Sequence, residues 1–370
     1  MKVLLNAMQA GNRSGTGTYT TELVRWLPSV AGDLDLIVSW PDDVPHPRGD
    51  GYRHEAFLER PSKGELNRML YGQFQLNHDR RTTGASLLHH MANVGNMMEQ
   101  GRTVVTVHDL SFIKEPSWYR LSRSAFLRWA VPRGVRKAER VLAVSQATAN
   151  DVHEVLGVPE DRIDAIPSGV EDYFKPASDA DMTRVREAYT LPKDFLLYLG
   201  TIEPRKNIER IVRAFTAVAG DLDLDLVLVG RDGWKVDGIY QAVKESPFRD
   251  RIHFPGFVAH EDKAAVLSCA HAFVWPSLFE GFGHPILESM ACGVPVLTSD
   301  ASSMPETAGG AAVLVDPYDV EAIADGMRRI VCDGTLRTAL VDRGHARALA
   351  CSWQQSAAGT IAAYRRALDL

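Results

Sequence analysis

Short apolar runs recur along the chain, each followed by a stretch whose apolar positions return every three or four residues. KVLLNA (2–7) leads into TGTYTTELVRWL; then come DLDLIVSW (33–40), SLLHHM (86–91), TVVTVHDLSF (103–112), RVLAVSQATANDVHEVL (140–156) and RIDAIPSGVEDYFKP (162–176). Both signals lapse around 172–184. The rhythm then restarts with FLLYLG (195–200), a helical pattern near 208–218, LDLVLVG (224–230), RIHFPG (251–256), AHAFVWPS (270–277), VPVLTSD (294–300) and AAVLVD (311–316). Continuous β-branched runs alternating with helices predict parallel sheets buried on both faces. Two such series predict an α/β protein of two doubly wound domains. The expected division is 1–175 and 176–350, with SWQQSAAGTIAAYRRALDL as a terminal helix over 351–370.

Composition narrows the class. At 370 residues the chain is too long for one ordinary core. It is 45% hydrophobic and 24% charged, as in soluble globular proteins. A net charge of -6 argues against a general nucleic-acid binder. No run approaches a membrane span, and Asn6 and Gln9 break the first apolar stretch, so no signal peptide is expected. The cysteines, Cys269, Cys292, Cys332 and Cys351, show no CxxC spacing, which fits reduced thiols in the cytoplasm.

Ligands of open parallel sheets sit beyond the carboxyl ends of the strands, and with two domains the natural place is the cleft between them. Several loops there carry chemistry. SGTGTYT (14–20) offers Gly15 and Gly17 at a helix start, either as a ligand loop or as a tight turn; the full GxGxxG is absent because Thr20 replaces its last glycine. His108 follows a strand, either facing a substrate or satisfied inside with Asp109 as partner or cap. His89 and His90 end another strand and read more readily as interior residues. GTIEPRKN (200–207) sets Arg205 and Lys206 before a helix, where fixed cations and free amides suit a diphosphate; the alternative is a solvated surface pair. Gly230 ends LDLVLVG, with room for a base or phosphate.

The last loop, FEGFGHPILES (279–289), has Glu280 and Glu288 around Phe282, Gly283, His284 and Pro285. Pro285 suits the first helical position, so the amides of 282–284 point at a ligand. Carboxylates beside phosphate would be repelled, so both glutamates should accept hydrogen bonds from neutral hydroxyls. A sugar nucleotide, with ribose and hexose either side of a diphosphate, has that layout. Asp223-Leu224-Asp225 spells DxD but begins a strand, away from such a site, so no metal or other cofactor is expected.

Glu280 and Glu288, with seven residues between them, match an EX7E motif. With SGTGTYTTELVRWL, RVLAVSQAT, IPSGVEDYFKP and LGTIEPRKNIERIVRAF, nearly the whole chain resembles retaining glycosyltransferases of family 4, which have the GT-B fold of two Rossmann-like domains facing across a cleft. It looks closest to bacterial mannosyltransferases of O-antigen and exopolysaccharide assembly. The resemblance implies an acceptor-binding first domain and a second domain binding a nucleotide sugar, with GDP-mannose the first candidate. It implies that Arg205 and Lys206 hold the diphosphate, Glu288 the ribose, and Glu280 with the amides of Phe282, Gly283 and His284 the sugar. It further implies that His108 meets the sugar and that the turn of Gly15 and Gly17 closes over phosphate or acceptor. The acceptor would be a saccharide or lipid-linked saccharide. A nucleotide-sugar epimerase and a non-catalytic binding partner are the rival readings. His284 departs from the small or aliphatic residue usual there, and Ser168 from the commoner Asn. The stretch 114–140 mixes many Arg and Lys with Trp118, Phe126 and Trp129. It is either a peripheral contact with the inner membrane surface or a solvated helix pair with aromatics inside.

Overall fold

A computed structural model describes residues 1–12, 14–47, 56–61, 71–95 and 101–370. MANVGNMMEQ (91–100), which departs from the family resemblance and is the stretch expected to face the acceptor, lies partly outside them, at residues 96–100. The chain divides into two compact units, Met1–Gly169 with Ser352–Leu370, and Val170–Cys351.

In the first unit the strands are β1 (Lys2–Asn6), β2 (Asp35–Pro41), β3 (Phe57–Arg60), β4 (Leu87–His90), β5 (Thr103–Val107), β6 (Arg140–Ala143) and β7 (Ile163–Ala165). They form one parallel sheet in the order β3-β2-β1-β4-β5-β6-β7. Strands β4 (LLHH) and β5 (TVVTV) are buried throughout, as a parallel sheet covered on both faces requires, and β4 takes two histidines inside with it. The strand the pattern missed is β3. It is a short edge strand, FLER, half-buried, and its two charges hide the apolar run that marks its neighbours. The helix Trp353–Leu368 belongs to this unit. Its N-cap Ser352 accepts from the Gln355 amide, and Arg365 and Arg366 pair with Asp33 and Asp164.

The second unit holds β8 (Phe195–Leu199), β9 (Asp225–Val229), β10 (Ile252–Gly256), β11 (Ala272–Trp275), β12 (Val296–Ser299) and β13 (Ala312–Val315). These too are parallel, in the order β10-β9-β8-β11-β12-β13. Here the helix Asp179–Ala188 occupies part of the stretch where helical period lapses. Only Val185 is buried in it, so it carries no apolar stripe to read; Ser178 caps it by accepting from the Asp181 amide. The strand order reverses between β1 and β4 in the first sheet and between β8 and β11 in the second. Each reversal sends crossover helices to opposite faces and opens a crevice at the strands' carboxyl ends.

Candidate active site

In the second unit, the loops leaving β8 and β11 are GTIEPRKN and the segment running into FEGFGHPILES, so the topology alone brings the two motifs together. The first loop forms a 3-10 turn, Pro204–Lys206, then turns at Asn207, whose φ is +65°. Asparagine tolerates that left-handed conformation better than most residues. Its buried amide donates to the carbonyls of Pro276 (2.9 Å) and Pro317 (2.7 Å), tying the loop to its neighbours. Gly283, with φ +99°, is the N-cap of the helix His284–Ala291. Pro285 is therefore the second helical residue, and His284 the first.

Arg205 and Lys206 are not a solvated pair: their side chains are only 18% and 12% exposed. Lys206 Nζ donates to Glu280 Oε1 at 2.7 Å and lies 4.7 Å from the centre of the Trp275 ring. Burial pulls the lysine below its usual pKa, with Glu280 opposing that shift. Arg205 donates to Glu280 Oε2 (3.0 Å), to the Phe279 carbonyl (3.1 Å) and to Glu203 Oε1 (3.1 and 3.3 Å). Two cations and two carboxylates thus form one cluster that balances its own charge, as burial demands. Behind it, the Trp275 indole N–H and the Ser277 hydroxyl are buried with no hydrogen-bond partner among the described residues.

Glu288 is the opposite case. It too is buried, but among the described residues its carboxylate has no hydrogen-bond or ion-pair partner. Burial pushes it up to about 7, with Lys263 and His260 opposing and Glu171 adding to the rise. His260 is paired with Glu171 at 3.4 Å. The turn between the glutamates is held by its carbonyls: Ser302 and Ser303 donate to Glu280 O, and Ser303 and Thr307 to Phe282 O. His284 packs edge-on against Phe282, ring centres 5.2 Å apart.

Two glycines have a packing explanation. A Cβ on Gly230 would fall 1.8 Å from the Gly200 carbonyl, and one on Gly17 equally close to the carbonyl of Asn12. Gly15 and Gly17 lie within the first turn of the helix Gly15–Val30 rather than in a loop ahead of it. His108 Nε2 donates to the Met91 carbonyl at 3.0 Å, which places the proton on Nε2 and leaves Nδ1 an acceptor. Burial lowers its pKa, keeping the ring neutral. Asp109 is not its hydrogen-bond partner but a cap, accepting from the Ser111 amide and hydroxyl. His89 is an interior residue, bonded to Tyr364 Oη (2.6 Å) and Thr106 Oγ1 (2.8 Å), and burial pushes it down to about 3. His90 is equally buried and pushed down to about 4. Asp225 of the DxD string is taken by Arg251 (3.3 Å) and His253 (2.6 Å).

The pattern of residues missed Glu203 and Asn207. Both lie inside GTIEPRKN, where the acid before proline and the asparagine before the helix were the available signals.

Two doubly wound units, the second with buried cations at its switch point, have the architecture of one class, the GT-B glycosyltransferases, and the comparisons with known proteins fall in that class. Residues 181–347 match the family model for glycosyl transferases group 1, and residues 13–173 that for glycosyltransferase family 4. The chain is 31% identical to O-antigen chain mannosyltransferase B of Escherichia coli, over 95% of this chain and 96% of that protein. Sucrose-phosphate synthase from Thermosynechococcus elongatus shares the fold with a TM-score of 0.77 at 21% identity, covering 100% of this chain and 99% of its own. HepE of Anabaena, solved in complex with UDP and glucose, does so with a TM-score of 0.72 at 19% identity, covering 98% of each chain. The chain belongs to glycosyltransferase family 4. It is a glycosyltransferase with the GT-B fold, resembling bacterial O-antigen mannosyltransferases. Among the described residues no helix is long and apolar enough to cross a membrane.

Proposed function

We propose that the protein moves a mannosyl group from GDP-mannose to a saccharide or lipid-linked acceptor in cell-surface polysaccharide synthesis, retaining the anomeric configuration. The observation that carries this is the contrast between the glutamates at the β8/β11 crevice: Glu280 beside two buried cations, Glu288 buried with no hydrogen-bond or ion-pair partner among the described residues. The first arrangement suits a sugar next to a diphosphate, the second a pair of ribose hydroxyls. Mannose is supported by the E. coli relative's activity, and a nucleotide sugar by the UDP and glucose bound in HepE.

In the proposed reaction the acceptor oxygen attacks C1 on the face from which the diphosphate leaves. The C1–O bond to phosphate breaks, and the acceptor proton passes to a phosphate oxygen. Arg205 and Lys206 offset the charge gathering on the leaving group, joined by the amides of Phe282, Gly283 and His284. Glu280 orients the sugar hydroxyls and Glu288 the ribose. Gly230 lets the base or phosphate approach. In the first unit, Nδ1 of neutral His108 accepts a sugar hydroxyl, and the turn at Gly15 and Gly17 meets phosphate or acceptor. No cofactor is required, because protein cations take the place of a metal.

The test is turnover of GDP-mannose, UDP-glucose and ADP-glucose with a polysaccharide-repeat acceptor in EDTA, with the product's anomeric centre read by NMR. Retained configuration in EDTA is expected. An inverted product, strict metal dependence or sugar conversion without acceptor would overturn the corresponding part.

The helix Leu121–Lys137 supports a peripheral membrane contact. Leu121 is 88% and Trp129 50% exposed, and Arg123, Arg128, Arg133, Arg136 and Lys137 are exposed along it. Arg133 stacks on Trp129 at 4.9 Å. Flotation with vesicles containing anionic lipid should carry the protein upward; no flotation removes this contact.

A further inference from the structure

Arg205 has two hydrogen-bonding edges, and the structure commits them to different carboxylates. Nη1 faces Phe279 O and Glu280 Oε2, while Nε and Nη2 share Glu203 Oε1. Glu203 is only 4% exposed, on extended backbone just ahead of the 3-10 turn. A lone carboxylate at that depth would be costly, so its place is intelligible only with the guanidinium beside it. Without Glu203, the Nε edge of Arg205 would lose its acceptor and the guanidinium could turn wholly toward Glu280. That carboxylate already accepts from Lys206, so the two cations would then compete for it alone.

The geometry points to Glu203 as a positioning residue: it holds the plane of Arg205, and so keeps the guanidinium in place for the diphosphate while Glu280 is shared with the sugar. This rests on the diphosphate reading of Arg205 and Lys206. Glu203 touches neither donor nor acceptor; it acts through Arg205. Its negative charge also offsets one of the two cations, as Glu280 offsets the other, so the free site is neutral rather than singly positive. What Arg205 needs from Glu203 is an oxygen acceptor at about 3 Å, which a glutamine also offers.

The experiment compares Glu203→Gln, which keeps an acceptor oxygen, with Glu203→Ala, which removes it. Lys206→Ala serves as control for the diphosphate reading. Calorimetry measures the Kd of GDP, UDP and ADP, following whichever the wild type binds most tightly, and kcat and KM are measured with the matching sugar donor. Glu203→Ala is expected to lower kcat by about 10²-fold, as a misplacement near 1 Å does, and to weaken nucleotide binding about tenfold. Glu203→Gln is expected to return kcat to within about threefold of wild type, because a neutral hydrogen bond can replace the ionic one. Equal loss in both variants, or no loss in Glu203→Ala, overturns the proposal. If Lys206→Ala binds nucleotide as the wild type does, it is the diphosphate reading that fails. If Lys206→Ala loses binding while Glu203→Ala keeps it, Glu203 alone is misassigned.

Discussion

Each unit buries polar side chains near the carboxyl ends of its strands, and the two do it differently. In the first, His89, Thr106, Tyr19 and Tyr364 form a neutral chain of hydrogen bonds: Tyr19 Oη meets Thr106 Oγ1 at 3.2 Å, Thr106 meets His89, and His89 meets Tyr364. In the second, Glu203, Arg205, Lys206 and Glu280 bury full charges, and Glu288 buries a carboxylate with no hydrogen-bond or ion-pair partner among the described residues. A neutral, closed network rigidifies a core and asks for nothing more. The proposed function reads the charges held at the crevice, and the spare lone pairs of Glu288, as arranged for a ligand. On that reading burial alone does not mark a functional polar group; unspent bonding capacity does.

The sharpest way to break this comparison is Lys206→Ala. Transfer should fall about 10³-fold, as when a transition-state charge partner is removed. Stability should also fall, by about 3 kcal/mol, because half of a buried ion pair is left behind. In the double variant with Glu280→Ala, part of that stability should return while transfer stays lost. Denaturant melts and initial rates give both readings. Strict additivity of the stability losses would mean that the cluster is not coupled.

Glu288→Gln isolates the solitary carboxylate. Its pKa in the folded protein is raised to about 7 from 4.5, so the folded state keeps a proton that the unfolded chain has released. Glu288 therefore favours folding most below about pH 4.5, and that advantage drains away as pH rises toward 7, by about 3 kcal/mol in all. The variant should be free of this decline, visible as wild type minus variant in melts from pH 4.5 to 8. Ribose hydroxyls donate best to the ionised form, so wild-type nucleotide affinity should tighten as pH rises through 7, and the variant's should not.

His89→Phe tests the closed network. Thr106 and Tyr364 each lose a partner, for a stability loss of about 2 kcal/mol. Nucleotide affinity should not change; a changed Kd by calorimetry would end the distinction between the two regions. The smallest effect expected is at His284. Replacing it with Ala should shift the ratio of kcat/KM between GDP-mannose and another GDP-hexose by about tenfold, the scale of one pocket contact.

Much of this was legible beforehand because parallel strands buried on both faces need unbroken apolar runs, and loops at helix starts need glycine, proline and fixed charges. That is why every strand but β3 stood out, and why Arg205, Lys206, Glu280 and Glu288 could be picked as a set. The edge strand escaped notice since an edge needs no continuous apolar run, and the helix Asp179–Ala188 since it buries almost nothing.

The sequence by itself determined two doubly wound sheets and the residue types available at their carboxyl ends, because both follow from local pattern. Only the tertiary structure decided who pairs with whom. It placed Glu280 on both cations and Glu203 on the far edge of Arg205, and left Glu288, eight residues on, without a hydrogen-bond or ion-pair partner among the described residues. It made Asp109 a cap, His89 an interior link and Gly230 a packing necessity. Pairing and desolvation depend on loops from different strands meeting in space, and no spacing along the chain encodes that distance.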